Sequence, residues 1–412
     1  MSSTTYHPLA PRLQDAAAKD LTGANEASSA AKALDFEVAP LAADIIARLQ
    51  SEWRALAAQA VEPNPFFEPI AMRAALRLPE ARDASLLIVR RNGRLCGLAP
   101  LAKRTGGLSR WLSCDSIFQH RHAFLGAPMV SRGDEDHFAE TLFDFIDSRK
   151  APLFFLPGLN ENGPLRAAIE RFARANNRDV FQSRRSSRAL AVVIGDFAGH
   201  LADALGPAGV KSLRAKRRRL EMLGPVAYEV ASDAREIAYW FRDYASLEAK
   251  GRARNTNDDA ILNDPNDAAF WRSFIAEAAP TGRMRVARLT VNKRPIAISI
   301  DLDTESSGFA LRIAEDPAYA LYSPGALLEL DNLRAYFLDG KIDNIDASAD
   351  GARPALDALW GSRQTVVDLC VPKGAAVAGA LARICALRTV LRRSDPADKP
   401  AEKKDNSDRD SA

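Results

Sequence analysis

The sequence predicts an α/β protein made of two similar halves in tandem, each a central mixed sheet flanked by helices. Three observations carry that reading. A strand, turn, strand pattern at Ser85 to Ala102 returns about 200 residues later at Val286 to Leu302. A pair of helix patterns precedes each copy, and each copy is followed by a helix that leads into a short buried strand.

The elements follow in order. Apolar residues recur at helical spacing through Ala43 to Ala58 and Pro69 to Leu76. Leu-Leu-Ile-Val-Arg-Arg then runs to Asn92-Gly93 and returns as Arg-Leu-Cys-Gly-Leu-Ala, and Asn-Gly supplies the two positive-φ positions of a tight hairpin. Phe138 to Ile146 continues as a helix and Leu153 to Leu156 as a strand. In the second half the helices are Ala234 to Ala249 and Ala268 to Ala278, and the hairpin turns at Asn292-Lys-Arg-Pro295. The helix Ala326 to Leu338 and the strand Ile342 to Asp346 close the unit. This sets domains at 35–197 and 198–393, between tails 1–34 and 394–412 whose composition suits disorder. Ala375 to Leu391 reads as a last amphipathic helix docked on the core.

Composition excludes several classes. With 412 residues, 47% hydrophobic and 26% charged, the chain can fill two cores, and 56 basic against 53 acidic residues leave no whole-chain field that would demand nucleic acid. No apolar run approaches a membrane span and no signal core opens the chain, so a cytoplasmic location is expected. Cys96, Cys114, Cys370 and Cys385 are scattered and read as buried thiols. All five histidines lie in the first half, so the second half cannot by itself run a histidine triad or a histidine-rich metal site, and no metal is expected. His120-Arg121-His122 is expected to serve structure or surface.

The chemistry is sought at Phe309 to Ala349, where a strand enters the loop Tyr319-Ala-Leu-Tyr-Ser-Pro-Gly325 and then a helix. Ser323 suits the N-cap, Pro324 the first helical position, and Gly325 leaves the backbone uncrowded, so that free amides and the helix dipole can face an anion. Ser-Pro-Gly suits an ordinary helix cap equally well. The first copy carries Gly133-Asp134-Glu135-Asp136 at the matching corner, where carboxylates would repel a phosphate, so the anion is expected in the second copy alone.

A family resemblance rests on Pro65-Phe66-Phe67, Asn92 to Leu101, Leu213-Arg-Ala-Lys-Arg-Arg-Arg-Leu-Glu-Met-Leu-Gly224, Leu247-Glu-Ala-Lys-Gly251, Pro295-Ile-Ala297, Tyr322-Ser-Pro-Gly325 and Pro354 to Trp360. In order and spacing these resemble the GNAT-related acyltransferases of the cellulose-biosynthesis type, cousins of the FemAB-type peptidyltransferases with tandem GNAT folds. The resemblance covers about residues 40 to 375. It implies a transferase using acetyl-CoA or another acyl-CoA to acylate an amine, an amino sugar of a surface polysaccharide or its lipid-linked precursor. One departure touches the acceptor: family members often continue the Leu-Glu-x-x-Gly segment with Trp-Lys-Gly, whereas Gly251 here is followed by Arg252-Ala-Arg-Asn-Thr256.

Ser323, Gly325 and Ala326, with Arg312 on the preceding strand, are the expected CoA contacts. Asp346 or Glu315, with Asp316 beside it, is the candidate base, and Tyr322, with Tyr319 and Tyr336, the candidate acid for the thiolate. Asp346 is equally suited to a cap or a turn. Arg214, Arg217, Arg218 and Arg252 are the expected acceptor contacts. The run Lys211 to Arg219 fits a solvated helix face, a phosphorylated acceptor, a membrane surface or, more thinly, a regulatory nucleotide. It lacks the interleaved aromatics that would stack nucleic-acid bases. The rivals to the acyl-CoA reading are transfer from aminoacyl-tRNA and a degenerate subunit of a polysaccharide synthase.

Overall fold

Two Asn-led turns join the strands of the two hairpins, and both place two residues at positive φ: Asn92 and Gly93 have φ of 53° and 79°, as Asn-Gly favours, and Asn292 and Lys293 have 51° and 64°. The computed structural model describes residues 36–104, 113–252, 260–348 and 354–383. The tails, Cys385, the end of the last helix and the Arg252 side chain lie outside the described residues.

The first half runs β1 (Phe36–Pro40), α1 (Ala43–Ala58), α2 (Pro69–Ala75), β2 (Ser85–Arg91), β3 (Arg94–Lys103), β4 (Cys114–Ile117), β5 (Met129–Val130), α3 (Glu135–Ser148), β6 (Leu153–Asn160), α4 (Pro164–Ala175) and β7 (Phe181–Val192). The second runs α5 (Phe197–Glu221), β8 (Val226–Val230), α6 (Ala234–Arg252), α7 (Pro265–Ala278), β9 (Met284–Val291), β10 (Arg294–Asp303), β11 (Ser307–Glu315), α8 (Pro324–Asp339), β12 (Asn344–Asp346), α9 (Pro354–Trp360) and β13 (Gly361–Pro372). Among the described residues, no helix is long and apolar enough to cross a membrane.

One mixed sheet of 13 strands joins both halves in the order β1-β2-β3-β4-β6-β13-β7-β12-β11-β10-β9-β8, with β5 on β3. The order is palindromic. In each half an antiparallel run ends in one parallel pair, β4 with β6 and β11 with β12. The last strand of each half then crosses over: β13 pairs with β6, β7 with β12, and the two pair with each other at the centre.

Helices cover both faces of the sheet. The largest apolar cluster runs through Trp53, Phe67, Phe138, Leu156, Trp240, Phe270, Ile298 and Phe309, so residues of both halves share a core. Smaller clusters lie under α8: Leu333, Tyr336 and Trp360 in one, Leu220, Leu289 and Leu327 in the other. The helix over 375–383 lays Ala378 and Leu381 on the core, with Leu381 against Cys114, Phe155 and Cys370.

Candidate active site

The parallel pair β11–β12 holds for three residue pairs, Ser307 with Asn344 to Phe309 with Asp346, and the strands then part. Past that point, among the described residues, β11 continues to Glu315 with only β10 beside it in the sheet. A register shift sets Ile300 opposite Arg312 and Asp301 opposite Ala310, so Leu311 is an extra residue that bends the strand where the gap opens. Seven residues further the chain reaches Tyr322, and α8 starts at Pro324.

The helix start differs from the expected cap. Ser323 occupies the cap position but is left-handed, with φ of 50°, and its side chain caps no amide. Its Oγ instead accepts a hydrogen bond of 2.9 Å from Lys216 Nζ on α5. The amide of Gly325 donates to Glu315 Oε2 at 2.8 Å, so a carboxylate already sits on the positive end of the helix. A Cβ on residue 325 would stand 2.8 Å from that oxygen, so a larger residue there would displace the flexible Glu315 side chain. Carboxylates thus stand at this corner in both copies, in the second because Glu315 reaches round from the strand end. In the first copy Arg91 and Arg94 hold Asp134, while Glu135 accepts from the Gly133 amide.

Other expected site residues have defined places. Asp346 is buried, stands 2.6 Å from Arg188, and accepts from the Ser348 amide at 2.8 Å. That is the turn role the sequence left open. Tyr322 packs beside Tyr319 on the cluster of Leu220 and Leu327, and Tyr336 is a core residue whose hydroxyl donates to Asp303 at 3.0 Å. Arg217 points inward and binds Asp331 and the Leu327 carbonyl on α8, so it is spent on helix packing rather than on an acceptor. Arg214 and Arg218 are exposed.

Arg312 is the clearest departure. It faces α6 and α7, on the opposite side of the sheet from the Gly325 corner, and donates to Glu248 Oε1 at 3.3 Å. Its Nη2 stands 3.5 Å from His122 Nδ1, and its guanidinium lies 5.4 Å from the centre of the Trp271 ring. It cannot also hold a pyrophosphate at α8.

Around Arg312 the two halves meet in a polar cluster the sequence reading missed. His122 Nε2 lies 2.9 Å from Asp267 Oδ1, Tyr244 donates to Glu248 at 3.1 Å, and Arg121 binds Glu80 and Asp264. Burial, then Arg312 and Arg121, pushes the His122 pKa down to about 3, so the ring is neutral. The partners place its proton on Nε2, facing Asp267, and its lone pair on Nδ1, facing Arg312. Burial raises the Asp267 pKa above the usual carboxylate range. His120 is buried too, its ring 6.4 Å from that of His122. The i, i+2 spacing of two histidines just past a strand was the available signal.

Residues 207–353 match the family described as Acetyltransferase (GNAT) domain. The fold is that of FemX, with a TM-score of 0.54 at 11% identity over 79% of this chain and 96% of that one. A conserved protein of unknown function from Bacteroides thetaiotaomicron gives 0.51 at 13% identity, over 79% and 97%. The C-terminal domain of a putative lysylphosphatidylglycerol synthetase from Agrobacterium fabrum gives 0.50 at 12%, over 83% and 97%. No curated protein matches the sequence. The architecture is thus a tandem GNAT-like α/β fold, with the GNAT match in the second half.

Proposed function

We propose that the protein is an acyl-CoA-dependent N-acyltransferase whose donor lies in the gap between β11 and β12. The observation that carries this is the parting of that parallel pair after Phe309, with a bulged strand edge leading to the amide-bearing start of α8. Such an edge can bind an extended chain through main-chain hydrogen bonds and polarise a thioester carbonyl. The fit to the donor's pyrophosphate is supported by Glu315, whose carboxylate oxygen accepts from the Gly325 amide where a phosphate oxygen would, and by Lys216 beside it. Glu315 is exposed and can turn out to solvent when a phosphate takes its place.

The acceptor amine then approaches from the α6–α7 side. Asp346 is engaged by Arg188 and the Ser348 amide, whereas Asp267, with its raised pKa and its hold on His122, is the better proton acceptor. An amino sugar of a surface-polysaccharide precursor, met on the cytoplasmic side, is the acceptor class the family resemblance favours.

Calorimetric titration with CoA tests the donor site. Wild type should bind one CoA per chain. Glu315→Ala should bind it about three- to tenfold more tightly, because a competing and repelling carboxylate is gone. Absence of CoA binding by both proteins would overturn the reading, and aminoacyl transfer from charged tRNA in the same preparation would replace it.

A further inference from the structure

We propose that the outer face of α5 is a docking surface for an anionic lipid bilayer. The helix is kinked at Gly206 and Pro207, and its second segment lies against α8 through Leu213, Lys216, Arg217 and Leu220. At about 3.6 residues per turn, Lys211, Arg214, Arg218 and Met222 fall at successive steps of three or four residues on the opposite side. All four are exposed, and so is Arg219. The structure thus divides the basic run into Lys216 and Arg217, which are tied to α8, and a cationic stripe turned to solvent.

Two features make this stripe more than a solvated face. Lys211, Arg214 and Arg218 are like charges at i, i+3 and i, i+4, an arrangement that costs helix stability unless something anionic meets it. No ion pair to a carboxylate joins them among the described residues. The stripe also ends in large apolar side chains held out in water: Met222 is 78% exposed and Leu223 45%. Cations that meet lipid headgroups beside apolar side chains that enter the acyl boundary are what a bilayer surface matches. Nucleic acid would call for stacking aromatics, and the face from Lys211 to Leu223 has none. Docked this way, α5 would lie between the bilayer and α8 and would hold the protein at a surface that carries lipid-linked acceptors.

The test is flotation of the full chain with vesicles of phosphatidylcholine alone or with about a third phosphatidylglycerol, at low and high salt. Wild type should float with the anionic vesicles only, and less as salt rises. Joint replacement of Lys211, Arg214 and Arg218 by Gln should cut partitioning at least about twentyfold. Met222→Asp should weaken it with the charges intact, and Arg174→Gln, on the exposed surface of α4, should leave it unchanged. These exposed changes should leave the melting temperature no lower than in wild type, and loss of the like charges should raise it slightly in the Gln variant. Failure of wild type to float, equal flotation of the Gln variant, or binding to single-stranded RNA in place of vesicles would each overturn the proposal.

Discussion

Asp346 shows how a carboxylate at a strand end beside the proposed acyl site can belong to the fold. Its charge faces the Arg188 guanidinium at 2.6 Å, and both side chains are almost wholly buried, 5% and 1% exposed. Removing one member of such a pair strands the other in a poorly solvating interior. Asp346→Asn should therefore cost about 3 kcal/mol of stability, read by chemical denaturation, with activity falling only as far as the folded fraction does. A variant of unchanged stability that turns over a hundredfold more slowly would return Asp346 to the role of base. The motif Tyr322-Ser-Pro-Gly325 located the helix start correctly. It could not reveal that Glu315 and Lys216, one ten residues before Gly325 and the other on a distant helix, would converge on it. His122, Asp267 and Arg312 were individually visible, but their meeting depends on packing α7 of one half against the loop after β4 of the other.

At the scale of the element, α4 depends on a side chain from far along the chain. The amide of its second residue is served by Glu62, whose Oε1 accepts from the Leu165 N–H at 3.1 Å. Burial outweighs that hydrogen bond and raises the Glu62 pKa to about 7. With the folded value above the unfolded one, Glu62 binds its proton more tightly in the folded state. Its contribution is complete below about pH 4.5 and is lost as pH rises through about 7. Glu62→Gln keeps the acceptor and removes the titration. The difference in stability between wild type and variant should shift by up to about 3 kcal/mol against wild type between pH 4.5 and 8, measured by denaturation at several pH values. A pH-independent difference would show Glu62 to be solvated. Hairpins and helices were legible where local chemistry is strong, as at Asn92-Gly93 and Ala43 to Ala58. β7 was not, because Phe-Gln-Ser-Arg-Arg-Ser-Ser-Arg begins with residues that look like a loop and alternate no apolar face.

For the whole molecule, that unread strand is decisive. β7 and β13 are the two central strands, and each belongs to one half by sequence and pairs in the other half's sheet. The internal repeat is visible in the sequence because its turns and helices recur; the exchange of strands is not, because it depends on which neighbour a polar strand finds. The consequence is that residues 36–197 lack β13, which should lie between β6 and β7, while residues 198–393 lack β7, leaving both β12 and β13 short of a partner. Exposed sheet edges of that kind invite aggregation rather than folding. Each half produced alone should therefore give neither a cooperative melt nor a monomeric elution, and mixing the two from denaturant should restore a one-to-one complex with a single transition. Two halves that melt cooperatively on their own would mean that the central strand pair joins finished domains instead of completing them.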